Sequence, residues 1–123
     1  MKELNTIGLD QEKAENLAKK LNTLLSNYSI FYQNTRGFHW NIQGDKFFEL
    51  HLKFEEIYND LLLKIDEIAE RILTLGYTPE HRYTEYSKSS TIKESDKVTD
   101  GHTAVAQILD SLKIVIVMQR AIL

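Results

Sequence analysis

The chain has no cysteine, one proline, five glycines and one tryptophan among its 123 residues. Without cysteine, disulfides and thiolate metal sites are excluded. Any bound metal must then be held by imidazole and carboxylate, a donor set that suits iron, manganese or zinc. With so little proline and glycine, few positions interrupt a helix, and abundant Leu, Ile, Lys and Glu favour an all-α chain. No apolar run approaches the length of a membrane span, and the opening MKELNTIGLD lacks the apolar core of a signal peptide. A cytoplasmic protein without membrane association is the expectation. A strong excess of charge is also missing: 15 Lys+Arg against 18 Asp+Glu leave a formal charge of −3. That balance gives no general attraction to nucleic acid or anionic lipid. The length fits one domain over residues 1–123, with enough chain to bury a core.

What is there is mostly helical periodicity. After a weakly specified lead-in over residues 1–9, Asp10 is a plausible N-cap. Apolar residues then recur at Ala14, Leu17, Leu21, Leu24, Leu25, Tyr28, Phe31, Tyr32, Thr35 and Phe38, predicting one long helix over about 10–40. Asn41 to Gly44 reads as a tight reversal with Asp45 capping a second helix, about 46–75, antiparallel to the first. Gly76 and Pro79 punctuate its end. Leu50, Phe54, Ile57, Leu61, Ile65, Ile68 and Ile72 form its core face, while Lys53, Asp60, Lys64, Glu67 and Arg71 occupy a wet sector. Residues 77–98 turn polar and serine-rich, predicting a crossover connection with a short helix near His81 to Ser87. A further helix over about 100–123 carries Val105, Ile108, Leu109, Leu112, Ile116 and the apolar run Ile114 to Met118.

The chemistry concentrates in FHWNIQGDKFFELHLKFEEIYNDLLLKIDEIAE. His51 and Glu55 are four apart, as are Asp66 and Glu70, so each pair shares a helix face one turn apart. Asp66 stands eleven positions after Glu55, about three turns, so both pairs project from nearly the same side but lie roughly 16 Å apart along the axis. No single ion can touch both within one helix. A second copy lying antiparallel removes the contradiction. The position numbers of His51 and Glu70 have the same sum as those of Glu55 and Asp66, which is what an isologous two-fold contact with its pivot near Asp60 and Leu61 requires. Two identical sites would form, each shared between subunits. Taken singly, HxxxE and DxxxE more often mark a solvated face or a local ion pair; the matched register, and His39 at the end of the first helix, favour a metal site. No Glu stands three residues before any of His39, His51, His81 or His102, so the ExxH motif of di-iron sites built inside one bundle is missing.

RGFHWNIQGDKFFELHLKFEEIY, followed by DEIAERILTLGYTP, resembles the ferroxidase signature of Dps proteins, the mini-ferritins named for DNA protection in starved cells, over almost the whole chain. The resemblance implies an all-α fold of the ferritin-like four-helix-bundle type, of which about three helices are present here and the fourth is absent. It implies that His39, His51 and Glu55 come from one subunit and Asp66 and Glu70 from its two-fold mate. It further implies oxidation of Fe²⁺ by hydrogen peroxide and storage of ferric mineral in a homo-oligomeric, dodecameric shell, with zinc or manganese as surrogates for iron. Trp40, beside His39, is either a helix-end aromatic packed on the core or, by the resemblance, an electron donor near the iron. Tyr58 reads as interface packing, and His81 and His102 as surface histidines. The rival reading is a non-catalytic helical dimer that binds divalent ions structurally, or a DNA-compacting relative, although no Lys/Arg-rich tail is present.

Overall fold

The computed structural model describes residues 10–122, so the lead-in over residues 1–9 and the final position, Leu123, lie outside the described residues. α1 spans Gln11–Asn41, α2 Phe47–Thr74, α3 Tyr83–Ser89 and α4 Gly101–Ile122. The Asp10 side chain accepts from the Lys13 amide at 3.2 Å and starts α1 as its spacing predicts. α1 buries Ala14, Ala18, Leu21, Leu24, Leu25, Tyr28, Phe31, Thr35 and Phe38, a stripe that makes it the central element against which α2, α3 and α4 all pack. Phe31, Phe54, Leu25 and Ile72 are almost wholly enclosed; burying each such side chain stabilises the fold by about 1.5–3 kcal/mol.

Contacts pair Phe38 with Phe54, Tyr32 with Tyr58, and the Tyr77 hydroxyl with the Gln11 carbonyl, so α1 and α2 run antiparallel. Asp45 does not cap α2. The capping position is Lys46, without a side-chain bond, because Gly44 turns the chain at φ 108° and its carbonyl takes the Phe47 amide at 3.2 Å, which leaves Asp45 exposed within the turn. The other end follows the sequence closely. Gly76 adopts φ 88°, its amide bonds to the Leu73 carbonyl, and the Tyr77 amide reaches back to Ile72, the paired bonds of a Schellman motif.

The connection from α2 to α4 is held by three asparagines of α1. Asn22 donates to the Thr78 carbonyl and accepts from the Glu80 amide. Asn27, fully buried, accepts at Oδ1 from the Ser90 hydroxyl and from the Thr91 and Ile92 amides. Asn34 donates to the Lys93 carbonyl and accepts from the Ser95 amide. Backbone that lacks a helical partner is thus satisfied on the surface of a helix. Gln43 bonds through its amide to the Thr99 carbonyl, and Asp100 Oδ2 accepts from the Thr103 amide at 2.9 Å and its hydroxyl at 2.7 Å, starting α4 beside the α1–α2 turn.

α4 buries Ala104, Ile108, Ser111 and Val115 and leaves Val105, Leu109, Leu112, Ile116 and Val117 exposed. The apolar content read from the sequence is therefore split between two faces, only one of which meets this chain's core. Among the described residues no helix is long and apolar enough to cross a membrane.

Candidate metal centre

His39 comes from the last turn of α1 and His51 from the second turn of α2, and the short reversal brings the two rings into a stack, centroids 3.7 Å apart and planes 16° from parallel. Each Nδ1 lies 2.7 Å from the other residue's backbone carbonyl oxygen. A carbonyl only accepts, so each Nδ1 carries a hydrogen, and the neutral form of each ring has its lone pair on Nε2. The bond from His51 has a second effect. The amide four residues beyond His39, that of Gln43, is turned to Thr99, so the His39 carbonyl is a helix-end orphan and His51 supplies its donor. Phe47 also stacks on His51 at 4.9 Å, and Tyr58 meets His39 edge-on at 5.3 Å.

Glu55 lies one turn after His51 and is half-buried, whereas Asp66 and Glu70 are exposed further along α2. The structure brings His39 and His51 together and keeps Asp66 and Glu70 apart from them, as the roughly 16 Å axial separation requires. Among the described residues no three His, Asp or Glu side chains converge where one metal ion could be held by this chain alone.

The carboxylates share their side of α2 with apolar groups. Phe48, Leu52, Leu62, Leu63 and Leu73 are all exposed, Phe48 to 77%. At 100° per residue they fall in the same sector, about 100° wide, as Glu55, Asp66 and Glu70. The opposite side of α2 carries the buried Phe54, Leu61 and Ile72. Between these two sides, Lys64 donates to Asp60 at 2.6 Å, and that hydrogen bond holds its ammonium above the usual lysine value.

Arg36 was not singled out by the sequence reading. Tyr32, Arg36 and Trp40 are spaced four apart and share one face of α1, the signal that could have found it. The guanidinium carbon sits 4.8 Å from the Trp40 centroid, 5.5 Å from that of Tyr58 and 5.7 Å from that of Tyr32. Its Nη1 donates to the Tyr32 hydroxyl at 3.2 Å, and its buried Nε has no partner. Trp40 is 56% exposed with Arg36 over its ring, which goes against core packing, one of its two readings from the sequence. Tyr58, expected at an interface, packs its ring on Tyr32 and His39 of its own chain. His81 and His102 are exposed.

A ferritin-like domain model matches residues 18–123. A DNA protection during starvation protein of Porphyromonas gingivalis is 42% identical over 119 residues, 97% of this chain and 75% of that protein. An uncharacterized protein of Haemophilus influenzae is 52% identical over 118 residues, 96% of this chain and 74% of its own length. The crystal structure of a Dps protein from Vibrio cholerae O1, a member of a broad superfamily of ferritin-like diiron-carboxylate proteins, matches with a TM-score of 0.95 and 54% identity over 97% of this chain and 75% of that one. The all-α fold and these matches agree, and the chain belongs to the Dps family of ferritin-like proteins.

Proposed function

We propose that this protein is a ferroxidase that takes Fe²⁺ as substrate, oxidises it with hydrogen peroxide at a site shared by two copies across a two-fold axis, and retains the ferric product in a homo-oligomeric shell. The observation that carries the reading is the pair of imidazoles held with free Nε2 atoms beside a helix face whose exposed residues are carboxylates and large apolar groups. The same two-fold register that sets His51 opposite Glu70 and Glu55 opposite Asp66 also sets Phe48 opposite Leu73, Leu52 opposite Ala69 and Asn59 opposite Leu62. It buries apolar surface on both sides of the pivot while it assembles the ligands, the economy expected of an isologous interface. The diiron-carboxylate character of the Vibrio cholerae relative favours iron as the metal.

In this reading His39 and His51 contribute neutral imidazoles, Glu55 and the second copy's Asp66 anchor or bridge the ions, and Glu70 of that copy completes the second position. Two Fe²⁺, one hydrogen peroxide and two protons then give two Fe³⁺ and two waters. Both electrons that peroxide needs come from iron, and no hydroxyl radical is released. Zinc or manganese would occupy the same ligands, zinc without turnover.

Subunit mixing tests the shared site. One variant carries His39→Ala, His51→Ala and Glu55→Ala; the other carries Asp66→Ala and Glu70→Ala. Each alone has only half-sites and is expected to be inactive, while co-expression yields hybrid dimers with one complete site each. Random pairing at equal amounts makes about half the dimers hybrid, so iron-dependent peroxide consumption should recover to about a quarter of wild type. No recovery on mixing would exclude a site shared in this register. Zinc binding by the wild-type protein without iron oxidation would exclude the ferroxidase reading itself.

A further inference from the structure

We propose that Arg36 is the peroxide-binding group of the site: its guanidinium holds hydrogen peroxide beside the iron and stabilises the negative charge that gathers on the two oxygens as their bond breaks. The inference deepens the ferroxidase reading and rests on it.

Arg36 is a half-buried cation without a counter-ion. Other cations find a carboxylate on the next helix turn, as Lys46 does with Glu49, Lys53 with Glu56 and Lys64 with Asp60 on α2. α1 offers Arg36 no such partner, because no Asp or Glu stands anywhere from residue 16 to residue 44. Among the described residues no carboxylate pairs with it from another helix; Nη1 donates to the Tyr32 hydroxyl at 3.2 Å, Nε is buried without a partner, and Nη2 makes no hydrogen bond. The rings of Trp40, Tyr58 and Tyr32, 4.8 to 5.7 Å from the guanidinium carbon, hold the group in place but carry no net charge. What remains is a permanent positive charge, anchored through one nitrogen and with donors to spare, which is what a small oxygen acceptor requires.

Its place in the fold puts that charge at the candidate centre. His39 packs on His51 and Tyr32 on Tyr58, so between these two contacts of the antiparallel helices Arg36 stands level with Phe54 and Glu55. The guanidinium lies over Tyr58, whose ring meets that of His39 at 5.3 Å. Arg36 thus borders the centre from the side of α1, and it cannot itself bind a metal ion, since guanidinium has no lone pair to give.

Hydrogen peroxide accepts hydrogen bonds before it reacts. Cleavage of its O–O bond by one electron from each of two Fe²⁺ leaves two negatively charged oxygens, which take up two protons and end as water. Donors aimed at charge that develops in the transition state contribute most to the rate. Arg36 keeps its own proton throughout, and the protons come from solvent. Dioxygen is an apolar, weak acceptor whose first electron gives a singly charged product, so it gains less from the same cation. Arg36 therefore also selects peroxide over dioxygen as the oxidant.

The test compares wild type, Arg36→Gln and Arg36→Lys in stopped-flow iron oxidation, with peroxide under anaerobic conditions and separately with air-saturated buffer, beside calorimetric titration with Zn²⁺. Arg36→Gln should lower the peroxide-driven rate by about 100-fold, the loss typical of removing one donor to developing charge, and the dioxygen-driven rate by less than about tenfold. Its Zn²⁺ affinity should not fall, since no ligand is lost. Arg36→Lys, which keeps the charge, should recover most of the peroxide-driven rate. An unchanged peroxide-driven rate in Arg36→Gln, equal losses with the two oxidants, or no recovery in Arg36→Lys would each overturn the proposal. So would a loss of Zn²⁺ affinity large enough to account for the slower rate, which would make Arg36 a support for the ligands instead. Should Arg36→Gln fail to fold, Arg36→Met, which keeps an apolar stem against the rings and loses the charge, takes its place. Wild type that consumes no peroxide with iron would remove the ferroxidase reading itself, so the two failures are distinguishable.

Discussion

His39 and His51 each direct Nδ1 at the other's backbone carbonyl at 2.7 Å, so a candidate ligand pair is also a clasp between α1 and α2. The clasp is made of protein atoms alone, and it makes the two halves of the proposed ligand set behave differently. In metal-free protein, His51→Ala leaves the His39 carbonyl without a donor at a helix end and should cost about 1–3 kcal/mol. Asp66→Ala and Glu70→Ala remove exposed carboxylates and should change stability by no more than about 0.5 kcal/mol. All three should slow iron oxidation by at least roughly 10–100-fold, the loss seen even when only groups supporting a ligand are removed. Denaturant melts of apo variants beside stopped-flow iron oxidation check the contrast; equal stability losses for His51→Ala and Asp66→Ala would refute it.

Asn27 controls the connection between α2 and α4. Its Oδ1 takes three donors from Ser90, Thr91 and Ile92, and its Nδ2 donates to the Thr23 carbonyl at 2.9 Å. Asn27→Ala leaves the Thr91 and Ile92 amides without this acceptor at a position of zero exposure, while the Ser90 hydroxyl keeps the Ile92 carbonyl at 2.6 Å. A loss of about 3 kcal/mol or more is expected, since each buried orphan costs about 1–3 kcal/mol. The melting temperature should fall by roughly 10 °C or more. Amide exchange should accelerate first at Thr91 and Ile92, and a melting shift of only a degree or two would show that the connection is held elsewhere.

The contrast between these sites explains what the sequence could and could not disclose. Helix bounds were legible within one or two residues because apolar period, an Asp cap and a terminal glycine act locally, as at Asp10, Gly76 and Asp100. The Asp45 cap misread the turn because the φ of Gly44, not the acid after it, sets where α2 begins. The asparagine anchors had no local signature: their partners are 56 to 65 residues away, and a polar residue at helical spacing looks like solvent surface. The candidate ligands stood out because their spacing obeys a two-fold rule, whereas Arg36 had only its four-residue spacing from Tyr32 and Trp40 to mark it, its third ring, Tyr58, lying on the other helix.

Gly37 sits inside α1, where glycine weakens a helix, and a Cβ built there meets nothing within 4 Å. Gly37→Ala should therefore stabilise the chain by about 0.5–1 kcal/mol, mostly by restricting the unfolded state. A rise in denaturant midpoint with unchanged slope is the expected signature. Destabilisation would mean that this face of α1 is covered closely by something besides the chain itself.

Asp100 gives the acid limb of stability a specific contributor. The Thr103 hydroxyl and then the Thr103 amide hold its carboxyl below the ordinary carboxylate range, at the positive end of α4. Around the ordinary range the unfolded chain therefore binds the proton more readily than the folded one, and stability rises with pH there. The contribution is fully present above that range and is lost as pH falls through the depressed folded value. Asn caps a helix about as well as Asp but does not titrate in this region. Thermal melts of wild type and Asp100→Asn, taken from neutral pH down to about pH 2.5, should run together near neutrality and then diverge, the wild type falling more steeply. Glu80, which Arg82 holds low, titrates in both proteins and cancels from the comparison. Parallel curves would show that protonation of Asp100 does not loosen the start of α4.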